Sequence, residues 1–137
     1  GTGTAAGEPS RIEGIGRPIV EPSFLPDTID RMIKVPDALS LAAMRALEGL
    51  LGRKVGGSTG TNFVGALQVM SEMKAKGETG AVVTLICDGG ERYLDTYYDD
   101  AWLAAQGLAP SAAQQELIAA ALGGASLARA LEVRDAG

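Results

Sequence analysis

At 137 residues and a net charge of −5, the chain is long enough to bury one domain's core, and it lacks the basic stretches that meet nucleic-acid phosphates. Apolar residues make up 46% and charged residues 21%, the balance of a soluble globular protein, and no run approaches a membrane span. The one cysteine, Cys87, excludes an internal disulfide and suits a reducing cytoplasm; the absence of histidine excludes His triads, His general bases and His metal sites.

Residues 1–7 mix glycine with hydroxyls, but no apolar strand precedes them and Pro9 follows instead of a helix. Residues 1–10 therefore read as a flexible linker and not as a phosphate loop. Gly14 and Gly16 flank Ile15, a spacing that permits close ligand approach or a plain turn before Pro18. Residues 26–31 read as a short helix and 32–35 as a short strand. Pro36 and Asp37 open the clearest helix, with Asp37 or Ser40 as cap and Gly52 as stop. Its apolar face is Leu39, Ala42, Ala43, Ala46, Leu47 and Leu50.

Lys54 and Val55 then lead into Gly56-Gly-Ser-Thr-Gly60, after which Phe63, Val64, Leu67, Met70 and Met73 recur at helical spacing, with Glu72 and Lys76 as an i,i+4 pair. This predicts a strand, a tight glycine turn and a helix start. Unpaired N–H groups beside glycines seat an anion or a polar ring atom, although packing alone also explains such a turn. Ser58 and Thr59 equally suit simple helix caps.

Residues 81–87 form a continuous apolar, β-prone run, the pattern of a strand covered on both faces. Ligands gather beyond the carboxyl ends of such strands, which puts Cys87, Asp88 and Gly89 near a site. Cys87 reads as a buried small hydrophobe and not a reactive thiol, since no His or Lys neighbours it. Residues 88–93 read as a turn in which Glu91 and Arg92 can pair. Asp99 and Asp100 read as a solvated cap before Trp102, not as paired catalytic carboxylates. Tyr93, Tyr97, Tyr98 and Trp102 read as packing or a dimer face, with substrate contact as the alternative. Residues 111–122 form an alanine-rich helix capped by Ser111 and stopped by Gly123 and Gly124, and 126–133 a further short helix or a frayed tail. The expected class is α/β, with mostly parallel strands flanked by helices.

Three of these blocks carry a resemblance. Gly56-Gly-Ser-Thr-Gly60 resembles the loop near the C-terminal end of the catalytic core in pyridoxal-phosphate (PLP) enzymes of the cysteine synthase and cystathionine β-synthase family, fold type II. Arg11-Ile-Glu-Gly-Ile-Gly-Arg17 resembles that family's upstream glycine loop. Residues 82–93 resemble its final core strand and the turn after it. Order and spacing match as well.

The resemblance implies that residues 11–108 are the C-terminal part of the catalytic domain's large lobe, with 109–137 as a helical tail. It implies PLP as cofactor, Ser58 bonding the pyridine nitrogen, and Gly57, Cys87 and Asp88 beside the cofactor. Gly14, Ile15 and Gly16 would face the substrate amino acid. The family commonly has proline at the position of Cys87, and Arg17-Pro18 departs from the commonest synthase form.

No catalytic residue is expected in this chain. The family's Schiff-base lysine and its phosphate loop lie in an earlier part of the polypeptide, Lys34, Lys54, Lys74 and Lys76 fall in scaffold, and the chain opens on Gly1 instead of methionine. The implied activity is β-elimination or β-replacement on cysteine, serine or an O-acylserine. The implied partners are a small amino-acid substrate, the rest of the enzyme and a second copy in a homodimer; neither nucleic acid nor membrane is among them. The form Glu-Gly-Ile-Gly-Arg-Pro most resembles an actinobacterial branch assigned to cysteine breakdown. The alternative is a catalytically silent fragment or interaction piece, with apolar surface exposed where neighbouring strands belong.

Overall fold

A computed structural model describes residues 9–16 and 20–135. Most of the expected 1–10 linker and the Arg17-Pro18 departure lie outside the described residues. Ser10, at the linker's edge, is tied down: its hydroxyl donates to Asp37 Oδ1 at 2.7 Å.

The helices form where the apolar spacing places them. Helix α1 (Asp37–Leu51) starts directly after Pro36, whose extended backbone sets the entry, and stops at Gly52 in the left-handed region (φ 69°). Neither Asp37 nor Ser40 caps it. Asp37 instead accepts from Ser10 and from the Arg11 N–H, while buried Ser40 accepts a 2.7 Å hydrogen bond from Thr61. Leu50, expected on the buried face, is 62% exposed.

Helix α2 (Gly57–Lys76) packs against α1 and ends at Gly77. Helix α3 (Asp100–Gln106) is capped by Asp99, which accepts from the Trp102 N–H at 3.0 Å. Helix α4 (Ala112–Leu122) carries a reciprocal capping box between Ser111 and Gln114.

Two apolar clusters flank α1. Leu41, Met44 and Leu47 pack with Ile12, Val55, Tyr93, Tyr97, Leu103 and Leu108. Leu39, Ala42 and Ala43 pack with Val64, Leu67, Ile118, Ala121 and Leu127. Because α1 supplies both, residues 12, 55 and 93 are fixed relative to one another, and these carry the loops of the site. The aromatics do pack: Tyr93 and Tyr97 stack at 4.9 Å and Tyr97 meets Trp102 edge-on at 6.0 Å.

The sheet differs from expectation. Among the described residues it is one antiparallel pair, β1 (Arg31–Lys34) with β2 (Glu132–Asp135), in register Ile33 to Val133. The parallel strands are not formed, because residues 81–87 have no ladder partner among the described residues. Val83 is 87% and Leu85 69% exposed. A strand meant to be covered on both faces cannot close its backbone hydrogen bonds without neighbours. Nor is the tail purely helical or frayed. Residues 126–133 give a single 3-10 turn (Ala128–Ala130) and then β2, whose pairing with β1 satisfies the edge.

The tail is anchored by fully buried Gln68. Its Oε1 accepts from the Leu127 N–H at 2.8 Å and its Nε2 donates to Glu72 at 2.9 Å. Glu72 does not form its main contact with Lys76. It is gripped by Arg31, which donates to both carboxylate oxygens, with Asp135 a further 2.9 Å contact of Arg31 that lacks hydrogen-bond alignment.

The Arg31 hydrogen bond, helped by Gln68, holds the Glu72 carboxyl down at about 2 from an ordinary 4.5. A depressed folded-state value contributes stability above the ordinary pKa, and that stability is lost as pH falls from about 4.5 to about 2. Glu72→Gln is expected to lower stability at pH 7 by under about 1 kcal/mol, the pair being partly solvated. It should also flatten the acid limb of a denaturant-midpoint-versus-pH profile.

Candidate functional site

The site begins with the way residues 54–56 meet residues 88–90. Val55 makes an antiparallel bridge to Gly89, with Gly90 N–H donating to Lys54 O at 3.1 Å and Gly56 N–H to Asp88 O at 3.3 Å. On the other side the Tyr98 hydroxyl serves as a surrogate strand, donating to Val55 O at 2.7 Å and accepting from Val55 N at 3.0 Å. The expected strand at Val55 is thus one bridge flanked by a phenol.

Helix α2 leaves this bridge at Gly56. A Cβ at Gly56 would lie 1.9 Å from Asp88 Oδ1, and one at Gly57 would press on Tyr97 and Ile12 at 3.1 and 3.2 Å. A Cβ at Gly56 would thus displace the Asp88 carboxylate, one at Gly57 would push its neighbours by a few tenths of an ångström, and buried Gly57 lies beneath the site, not on its surface. Ser58 and Thr59 are not caps; Gly56 holds the cap position without a side-chain bond. Thr59 accepts from the Cys87 N–H at 3.0 Å and Asn62 donates to Leu85 O and Cys87 Sγ, both at 3.4 Å. The first two turns of α2 thereby clamp the end of the 81–87 segment. Ser58, between these clamps, is half-buried and its hydroxyl has no protein hydrogen-bond partner among the described residues.

The loop at residues 10–16 closes the other side. Buried Ile12 plugs the core, and the Tyr97 hydroxyl accepts from the Glu13 N–H at 2.9 Å and donates to Arg11 O at 3.1 Å. Arg11 also bonds the end of α3 through Gln106. Gly14 (φ 84°) and Gly16 (φ 72°) take backbone conformations that other residues rarely adopt.

These three elements enclose a cleft of about 510 Å³ lined by Glu13, Gly14, Ile15, Ser58, Asn62, Cys87, Asp88, Arg92 and Tyr93. It brings together five of the seven expected site residues. Gly57 and Gly16 do not line it; Gly16 packs against Ser10. Cys87 is exposed on the cleft, not buried as expected, because the 81–87 segment that it ends has no strand neighbours among the described residues. Glu13 and Asn62 were not singled out by sequence, whereas Arg92 was read as a turn residue able to pair and Tyr93 as packing with substrate contact as the alternative. Asn62 was legible in principle, one helical turn beyond Ser58 and so on the same face.

The electrostatics are mixed. Arg92, the one cation among the described residues lining the cleft, reaches Glu13 at 3.0 Å and Asp88 at 3.9 Å, and Glu91 is not its partner. The Tyr93 hydroxyl donates to Asp88 Oδ2 at 2.6 Å; burial first and then Asp88 push its pKa up, so it remains a donor. Asp88 Oδ1 is buried with no hydrogen-bond partner among the described residues. No lysine lines the cleft, and no metal-competent cluster occurs among the described residues. A free neutral hydroxyl beside glycines and an unpaired carboxylate oxygen suits an uncharged, hydrogen-bonding ring edge. It does not suit a phosphate group.

The chain is similar to a C-terminal portion of enzymes named L-cysteine desulfhydrase, cysteine synthase and N-(2-amino-2-carboxyethyl)-L-glutamate synthase. The L-cysteine desulfhydrase of Mycobacterium tuberculosis is 57% identical over 109 residues, covering 80% of this chain and 30% of that protein. An N-(2-amino-2-carboxyethyl)-L-glutamate synthase of Cupriavidus metallidurans is 39% identical over 101 residues, covering 72% and 30%. A Sinorhizobium fredii protein assigned to cysteine synthase is 35% identical over 118 residues, covering 85% and 31%. The chain thus spans about 30% of the length of these relatives. No family model and no solved structure matches it. No helix among the described residues is long and apolar enough to cross a membrane.

Proposed function

We propose that this chain supplies the C-terminal part of the catalytic core of a PLP-dependent enzyme of fold type II, acting at the β-carbon of cysteine, serine or an O-acylserine. The observation that carries the reading is the convergence of Gly14, Ile15, Ser58, Cys87 and Asp88 on one cleft, in a chain 57% identical to a segment of an L-cysteine desulfhydrase. That identity, well above the 35–39% to the two synthases, favours cysteine breakdown over synthesis.

When bound, PLP supplies the electron sink for loss of the α-proton and the β-substituent. The residues here hold the ring side of that site. Ser58 would donate a hydrogen bond to the ring nitrogen without bringing a charge, a setting in which the bound cofactor would favour prompt loss of the β-substituent. The backbone at Gly14 and Ile15, on the loop that Tyr97 and Asp37 pin at residues 10–13, forms the wall facing the amino acid. The lysine and the phosphate cradle come from the rest of the polypeptide, and the full enzyme works as a cytoplasmic homodimer. By itself this chain is catalytically silent.

A second reading, an interaction piece alone, draws on the exposed Val83, Leu85 and Ile86 and on the lack of a lysine at the cleft. One experiment separates the two. In a hybrid, this chain replaces the matched stretch of the M. tuberculosis desulfhydrase. The hybrid is expected to retain bound cofactor and to release sulfide from cysteine within about tenfold of the parent. A folded hybrid without bound cofactor would leave only the interaction reading.

A further inference from the structure

Asp88 carries an inference that rests on the cofactor reading and deepens it. Helix α2 is 20 residues long, yet its cap residue is Gly56, no side chain caps it and its first turn holds no acid. Such an end carries partial positive charge and unpaired N–H groups, an attractive seat for phosphate or carboxylate. In this fold a carboxylate from elsewhere in the chain is already there. Asp88 is fastened to Gly56 through its backbone oxygen, and its Oδ1 fills the space a Cβ on residue 56 would take, 1.9 Å from that position. That oxygen is buried and has no hydrogen-bond partner among the described residues. Its twin, Oδ2, is fixed by the Tyr93 hydroxyl at 2.6 Å and lies 3.9 Å from Arg92.

We propose that Asp88 is a built-in anion beside the start of α2 that excludes phosphate and carboxylate groups from the Ser58 side of the cleft. Tyr93 sets the position of the charge, and glycine at 56 leaves room for it. Asp88 is a specificity-determining residue: it prevents the ligand from docking reversed, phosphate first, against α2. This explains why a glycine-rich helix start, of the kind that elsewhere cradles phosphate, here presents a lone serine hydroxyl.

The test uses the full 137-residue chain, amide NMR and inorganic phosphate as probe. In the wild type, phosphate is expected to leave the Gly57, Ser58 and Thr59 amides without saturable shifts. Asp88→Asn keeps an oxygen acceptor for Tyr93 but removes the charge, and should bind phosphate at those amides at least about tenfold more tightly. Saturable shifts of these amides in the wild type would overturn the proposal, and that arm needs no variant to fold. Equal phosphate responses in wild type and Asp88→Asn would overturn it too. Neither arm involves the cofactor, so a hybrid enzyme lacking PLP would sink the cofactor reading while leaving phosphate exclusion standing.

Discussion

Gly60→Ala is expected to destabilise the chain by about 2–3 kcal/mol and lower its melting temperature by about 10 °C. Two effects compete. Alanine is the better helix former by about 1 kcal/mol. Against that, a Cβ at residue 60 would lie 2.1 Å from the Ser40 carbonyl oxygen and 3.0 Å from Met44 N, both backbone atoms of α1. Neither can swing away, so α1 and α2 must separate, opening both apolar clusters that α1 joins. Gly65, one turn further along α2, has nothing within 4 Å of its Cβ position. Gly65→Ala should therefore be neutral or stabilising by up to about 1 kcal/mol. Thermal denaturation of the two variants side by side separates helix propensity from the close crossing; equal melting temperatures would show that the crossing is not tight.

Tyr97→Phe is expected to cost about 2 kcal/mol and to free the 10–16 loop. The hydroxyl serves two backbone groups of that loop, the Glu13 N–H and the Arg11 carbonyl, so its removal strands both. The ring itself stays packed on Tyr93 and Trp102. Hydrogen exchange should therefore rise by at least about tenfold at Glu13 and its neighbours, with little change in α2. In the hybrid enzyme the same change should raise KM for cysteine more than it lowers kcat, since in the proposed site the loop forms the wall facing the amino acid. Faster exchange spread evenly over the chain would mean that Tyr97 holds only the core.

The helices were legible because periodicity and stops are local. Gly52, Gly77 and Gly107 all end helices in the left-handed region, and Ser111 and Asp99 cap as their positions suggest. The cleft was legible through glycine spacing and the order of three blocks. The sheet was not, because strand pairing depends on neighbours and an apolar run such as 81–87 does not encode what lies beside it. Residues 32–35 were legible as a strand and β1 forms there, but its pairing with β2 escaped notice for the same reason, the partners being about a hundred residues apart. Gln68 and Arg31 gave no signal either. Both look like surface residues in sequence, and only the fold reveals that Gln68 is buried to reach Leu127. Cys87 misled through composition: its small apolar character fits a covered strand, yet the fold puts it on the cleft.

Ser58 makes the central claim testable in one measurement. The hybrid enzyme is loaded with PLP labelled at the ring nitrogen, and that nitrogen's chemical shift is read in wild type and in Ser58→Ala. The expected result is the shift of an unprotonated nitrogen accepting a hydrogen bond, moving clearly when the hydroxyl is removed. A shift identical in the two proteins, or one of a protonated ring in the wild type, would contradict the placement of Ser58 at the ring.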